Sequence, residues 1–159
     1  MFSTKLLQAY LETEFLGSEI NYLLKTNSTN ADAWNYFQNG SPNGTLVITD
    51  DQQHGRGRRH NKWFSTKGKS LTFSFILHPD TGLEKLGLLP LLSGVSIAQG
   101  IKSTTSIQIG LKWPNDIMLN GKKMGGILIE SKSIQNRTGI VIGIGLNINE
   151  SITDLHETI

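Results

Sequence analysis

The segment Gln52-Gln53-His54-Gly55-Arg56-Gly57-Arg58-Arg59-His60-Asn61-Lys62-Trp63 carries the densest chemistry in the chain. Two glycines between arginines allow backbone N–H groups and guanidinium forks to converge on one anion. Arginine suits carboxylates and phosphates because its charge is permanent and its donors are planar. Six of the 15 Lys and Arg lie between Gln52 and Pro79, where no acidic residue occurs. The remainder holds nine basic and 13 acidic residues, so a net charge of +2 conceals one cationic segment on a chain otherwise at −4. That pattern expects a local anionic ligand rather than a generally basic protein. The segment is not a P-loop, because the lysine-serine ending is missing. Taken alone, a solvated basic loop or a nucleic-acid contact is the commoner reading of such a string.

Two further clusters carry chemistry of other kinds. In Lys112-Trp113-Pro114-Asn115-Asp116 a lysine at a strand end, beside tryptophan and proline, can present a fixed ammonium; the ordinary alternative is a surface lysine before a turn. In Asn27-Ser28-Thr29-Asn30 short hydroxyl and amide side chains can read a polar, uncharged ligand group, or simply cap a helix, or do both. The chain has no cysteine. That excludes a disulfide scaffold, a cysteine-ligated zinc site and a cysteine nucleophile, and it fits a reducing cytoplasm.

The elements that must position these groups follow from pattern. Ile20 to Lys25 reads as a short strand, and Ser28 or Thr29 as the start of a helix through Phe37. Asn39-Gly40 and Pro42-Asn43-Gly44 are turn signals. Thr45 to Thr49 is a β-branched strand. Asp50 to Gly68 shows no periodicity and reads as one long functional loop. Leu71, Phe73, Phe75 and Leu77 alternate with Ser70, Thr72 and Ser74, as in a half-buried strand. A mostly buried helix begins near Pro90. Gln108 to Trp113, Asp116 to Leu119, Lys123 to Ser131 and Gly139 to Asn147 read as strands, with Asn120-Gly121 a two-residue hairpin turn. In the last strand Ile140, Ile142, Ile144 and Leu146 form an apolar face expected to pack on the helices. Gly139, Val141, Gly143, Gly145 and Asn147 form a nearly bare one. A bare strand face accepts either a flat ligand or a tightly packed neighbour.

The 159 residues, with 37% hydrophobic and 18% charged content, allow one domain with a real core. The N-terminus lacks a signal-peptide pattern. The longest apolar stretch, Leu86 to Ile101, is interrupted and shorter than the roughly 20 residues of a membrane span. A cytoplasmic, soluble protein is expected.

Taken together and in this order, the motifs resemble those of biotin protein ligases: Ser28-Thr29-Asn30, Gly55 to Arg59 with Trp63, Lys112 to Asp116, Gly126-Ile127-Leu128, and Gly143-Ile144-Gly145-Leu146-Asn147. The resemblance runs from about Ile20 to Asn149. It implies an α+β fold with a mixed, largely antiparallel sheet and helices, like the class II aminoacyl-tRNA synthetases. It implies ATP-dependent activation of biotin to biotinyl-5′-AMP and transfer to a lysine of the biotin carboxyl carrier domain of a carboxylase, with Mg2+ accompanying ATP and its ligands unassigned. Biotin would be held by Ser28, Thr29, Asn30, Gln52, Gly55, Arg56, Gly57, Arg58, Lys112 and Gly126. The nucleotide would meet Arg56, Arg58, Arg59, Trp63, Asn115 and Asn147, and the catalytic cations would be Arg56, Arg58 and Lys112. The sequence departs from the family pattern at His60, where glycine is usual, at Asn61 and at His54. It ends 12 residues after Asn147. Residues 1–159 are therefore expected to form a catalytic domain incomplete at its C-terminus, without the family's C-terminal β-barrel and without an N-terminal winged helix-turn-helix, hence without operator binding; a homodimer is possible within the family. A lipoate or octanoate ligase or transferase of the same fold, and a nucleic-acid-binding module built on the basic loop, are the alternatives.

Overall fold

A computed structural model describes residues 3–79, 87–134 and 136–151. Seven strands form one sheet in the order β1-β2-β5-β9-β8-β7-β6: β1 (Ile20–Leu23), β2 (Leu46–Thr49), β5 (Ser70–Leu77), β6 (Gly110–Lys112), β7 (Asp116–Leu119), β8 (Lys122–Ile134) and β9 (Arg137–Asn147). Among the described strands of this sheet, β1 and β2 pair in parallel and the other neighbours pair antiparallel. The sheet is thus mixed and largely antiparallel, as the resemblance implied. Asn120 and Gly121 both adopt positive φ, 49° and 76°, which is what a two-residue hairpin with the twist of its strands demands.

One helix covers each face. Helix α2 (Thr29–Gln38) lays Ala33, Trp34 and Phe37 against Val47, Ile76 and Val141. Helix α3 (Leu89–Thr104) lies on the other face, where Ile97 and Ile101 meet Ile127, Ile140, Ile142, Ile144 and Leu146. A short helix α1 (Thr4–Tyr10), capped by Ser3, precedes them.

The apolar face of β9 therefore lies on the α3 side of the sheet. Its glycine face receives α2, with Phe37 seated over Gly139. In β5 the fully covered residues are Thr72, Ser74 and Ile76, while Phe73, Phe75 and Leu77 are only partly covered and Leu71 is exposed. The hydroxyl-bearing face of that strand looks into the α2 layer, where Ser74 finds hydrogen-bond partners. Helix α3 is less buried than its composition suggests. Gly94 is its one buried residue, and Leu91 and Leu92 are 48% and 62% exposed.

The stretch from Asp50 to Gly68 is more ordered than a loop without periodicity. Strands β3 (Gly55–Arg56) and β4 (Lys62–Trp63) pair antiparallel around a 3-10 turn, Arg58–His60. Its beginning is zipped to the end of β1: Thr26 bridges Gln52, and Gln53 N and His54 N donate to the carbonyls of Thr26 and Asn27 at 2.9 Å each. Inside the turn Arg59 and His60 have φ of 53° and 66°. The glycine expected at position 60 would adopt that left-handed backbone without the penalty that histidine incurs.

At Gly143 an added Cβ would overlap the side-chain amide of Asn30. Gly143→Ala is expected to destabilise the fold by about 2 kcal/mol, the order of an overpacked core position. Gly110→Ala, whose methyl would meet only Met118 Cβ at 3.9 Å, should shift stability by less than about 1 kcal/mol. Urea unfolding of the two variants checks the contrast.

Candidate active site

A cavity of about 580 Å3 opens between the N-terminus of α2, the cationic loop and the site-facing surface of β7, β8 and β9. Its floor is the backbone of Gly143 and Gly145 with Gly126 beside them. Alternation along β8 and the register Gly126↔Gly145, Leu128↔Gly143 and Glu130↔Val141 place Gly126, Leu128 and Glu130 on that same face.

One wall is the start of α2. Ser28 occupies the N-cap position, yet its side chain makes no capping bond. The Thr29 N–H is instead satisfied by Gln52 Oε1 at 2.8 Å, from 23 residues along the chain. A free helix N–H is an orphan donor that needs a partner. Here the loop supplies it, and the Ser28 hydroxyl is left facing the cavity. Thr29, Asn30 and Gln52 are also buried and line the cavity. Ser74 Oγ, fully buried, sits 2.8 Å from Thr29 Oγ1 and 2.7 Å from Asn30 Oδ1.

The opposite wall is the loop. Arg56, Gly57, Arg58, Arg59 and Trp63 all line the cavity. Arg58 Nη1 donates to Asn115 Oδ1 at 3.2 Å. Asn115 is itself pinned to β8, its Nδ2 donating to the Ile127 carbonyl and its own carbonyl accepting from Ile127 N, each at 3.0 Å. Arg56 Nη2 reaches Glu130 Oε2 at 3.3 Å. The same oxygen accepts from Asn30 Nδ2 at 2.9 Å and Trp34 Nε1 at 3.2 Å. The Trp63 indole lies directly against the backbone at Gly145, where any Cβ would overlap it. The flat object on the bare strand is thus a side chain of the protein, and it forms part of the cavity wall. Trp63 Nε1 and Thr72 Oγ1, both at the cavity, are buried without a hydrogen-bond partner.

Three of the residues implied by the resemblance stand apart from the lining. Gly55 lies behind it in β3, packed against the Trp63 carbonyl and the Gln52 amide. Asn147 ends β9 opposite Ser70, outside the cavity, with its Oδ1 buried and unpaired. Lys112 is exposed on β6, the outermost strand, and lines a separate cleft of about 110 Å3 beside the start of α3. Its ladder partner Asp116 and the next residues Trp113, Pro114 and Asn115 do line the cavity.

Lys62 and Lys123 both line the cavity, and Lys123 Nζ lies 2.7 Å from Oδ1 of Asp116, another lining residue. Strict alternation from Gly126 would turn Met124 to the cavity and Lys123 away. The register of β7 and β8 slips between Ile117 and Met118, and this bulge admits one extra residue and reverses the facing. Lys123 was therefore hidden from a period-two reading. Glu130 and Ser74 were hidden differently: each is one of several polar residues in its strand, and only the fold shows what it faces. Away from the cavity, the Tyr22 phenol donates to Asp50 and is held above its ordinary pKa, chiefly by that hydrogen bond. Among the described residues there is no group of three or more His, Asp or Glu side chains placed to hold a metal ion.

The model of the biotin/lipoate A/B protein ligase family matches residues 22–147. The chain is 42% identical over 145 residues to the bifunctional ligase/repressor BirA of Bacillus spizizenii, covering 91% of this chain and 45% of that protein. It is 33% identical over 129 residues to the biotin–[acetyl-CoA-carboxylase] ligase of Paracoccus denitrificans, covering 79% and 53%. Among solved structures, the biotin protein ligase of Aquifex aeolicus in complex with biotin and ATP superposes with a TM-score of 0.72 at 33% identity, covering 88% of this chain and 60% of that one. The chain spans about half the length of the curated relatives it matches. By motif order, sheet topology and similarity across most of its length, the chain belongs to the biotin/lipoate A/B protein ligase family.

Proposed function

We propose that this chain binds biotin and ATP in the 580 Å3 cavity, joins them as biotinyl-5′-AMP, and passes biotin to a lysine of a carboxylase carrier domain. The observation that carries the reading is the meeting, in one cavity, of a neutral polar wall (Ser28, Thr29, Asn30, Gln52) and a cationic one (Arg56, Arg58, Arg59) with Lys123 beside Gly126. A ureido ring is neutral and needs every donor and acceptor paired on burial. A carboxylate and a triphosphate need cations. The relatives' names point the same way.

Attack of a carboxylate on the α-phosphate forces two anions together, and cations fixed where charge accumulates lower that barrier. Arg58, oriented by Asn115, and Lys123, oriented by Asp116, are held by neutral or acidic partners that a substrate anion can displace. A mixed anhydride is destroyed by water. The paired strands of the loop, with Trp63 lying on the glycine floor at Gly145, provide the means to exclude it. Mg2+, where it enters, would neutralise the triphosphate. Asp116 is a carboxylate on the cavity wall suited to such an ion, which ordinarily needs only one or two protein ligands beside the phosphates. Final attack by the acceptor lysine requires no nucleophile from this chain, in keeping with its lack of cysteine. Nucleotide contacts of Trp63, Arg59, Asn115 and Asn147, and a homodimer, belong to the same proposal.

The neutral wall favours biotin over a lipoyl or octanoyl acid, because an acid without N–H groups would leave those buried side chains unpaired. Biotin-dependent exchange of labelled pyrophosphate into ATP tests the activity. Inhibition by excess lipoate equal to that by a biotin analogue would instead favour the lipoate reading.

Arg56→Ala and Arg58→Ala are each expected to lower the exchange rate more than tenfold. Lys112→Ala and Lys123→Met should do the same, and near-normal rates in either would remove that lysine from the cations proposed to act there.

A further inference from the structure

Two adjacent places on the glycine floor differ in how their polar groups are paired. At the first, Ser74 of β5 stands opposite Gly143 and Asn30 covers the glycine. The Ser74 hydroxyl there has two partners, Asn30 Oδ1 and Thr29 Oγ1. At the second, Thr72 of β5 stands opposite Gly145, and Trp63 covers the glycine with Nε1 2.6 Å from where a Cβ would be. Opposed residues of a ladder share a face, with β-carbon positions about 5 Å apart. The Trp63 N–H and the Thr72 hydroxyl are therefore neighbours. Neither has a partner, although Thr72 is only 4% exposed, and both residues line the cavity. A buried polar group left unpaired is costly. A water between the two would find both as partners, and a ligand that displaces it must bring an acceptor of its own or lose affinity.

The indole lies across the strands, and its two ends have different surroundings. Its Cζ3 edge and Lys123 Nζ approach the same point above Gly126, at 3.8 and 3.7 Å. Gly126, Gly145 and Thr72 form one lateral row across β8, β9 and β5, so Thr72 stands two strand spacings, roughly 10 Å, from Gly126. Arg56 and Arg58 are bonded on the Lys123 side too, at Glu130 of β8 and at Asn115 ahead of β7. The cations with a fixed place thus gather toward β7 and β8, and the acceptor that suits the β5 end of the indole is a neutral one. Along β5, Thr72 is two residues, about 7 Å, from Ser74, whose partner Thr29 belongs to the neutral wall that the ureido ring would meet. In biotin the one neutral heteroatom outside the ureido group is the ring sulfur, on the far side of the fused bicycle.

Resting on the biotin reading above, we propose that the Thr72 hydroxyl and Trp63 Nε1 form a subsite for the ring sulfur of biotin, and that Thr72 selects for a hydrogen-bond acceptor at that ring position. A thioether sulfur accepts weakly and can take both donors. An oxygen in its place accepts more strongly, and a methylene accepts nothing, leaving both donors buried and unpaired.

Calorimetry on the 159-residue chain with biotin, its ring-oxygen analogue and its ring-methylene analogue tests this, with thermal unfolding confirming that each variant is folded. The parent should bind the ring-oxygen analogue about tenfold more tightly than the ring-methylene one, the cost of leaving buried donors unpaired. Thr72→Val, close in shape but without the hydroxyl, should cut that preference about fivefold, and Thr72→Ser, which restores the hydroxyl, should keep it. No preference in the parent, or an undiminished one in Thr72→Val, overturns the proposal while leaving the biotin reading intact; a parent chain that binds none of the three sinks both. Should Thr72→Val not fold, the same comparison in Trp63→Phe, which lacks the indole N–H, decides. An undiminished preference there overturns the proposal.

Discussion

The whole site depends on the absence of side chains along one face of β9. At Gly143 and Gly145 the backbone of the central strand is bare, and Asn30 of α2 and Trp63 of the loop lie directly on it. A methyl at either place would overlap a cavity-lining group. The close approach brings two distant segments, the start of α2 and the arginine loop, onto one floor. Glycine weakens a strand, and here the loss is offset by β8 and β5, which pair with β9 along its length on both sides, and by the isoleucine face packed beneath α3.

The two layers divide the work. Beneath the sheet, α3 and the isoleucines make an apolar contact that holds the strands in register. Above it, the α2 layer buries Thr29, Asn30, Gln52, Thr72 and Ser74, which is costly unless their polar atoms are paired. The pairing is achieved by crossing segments: Gln52 completes the helix end in place of a local cap, Ser74 joins Thr29 to Asn30, and Glu130 collects α2 and the loop on one oxygen. Trp63 Nε1 and Thr72 Oγ1 remain unpaired, so the cavity offers polar atoms that a ligand can satisfy.

The cationic loop is held at its base and loose at its tip. Main-chain bonds to Thr26 and Asn27 and the short β3–β4 ladder fasten its ends. The arginine contacts, at 3.2 and 3.3 Å to Asn115 and Glu130, are single and partly exposed. Such contacts orient a guanidinium without binding it strongly, which suits groups that must exchange partners when an anion arrives.

Much of this was legible in the residues themselves. The arginine-glycine string, the Ser-Thr-Asn before an amphipathic helix, the Asn120-Gly121 turn and the alternation of β9 each report a local rule, and local rules survive in any fold. The order of the motifs carried the family, because spacing along the chain is a property of sequence. What no local pattern carried was facing. The bulge in β7–β8 turned Lys123 inward, although Lys112 sits in the more conspicuous motif. The covered face of β5 proved to be the hydroxyl one. The partners of Glu130 and Ser74 come from segments up to 100 residues away. Which chemical groups exist, and which turns and strands carry them, follows from the order of residues. Which of those groups meet follows from the folded chain alone, because strand order, register slips and hydrogen bonds between distant segments depend on contacts that no local pattern encodes.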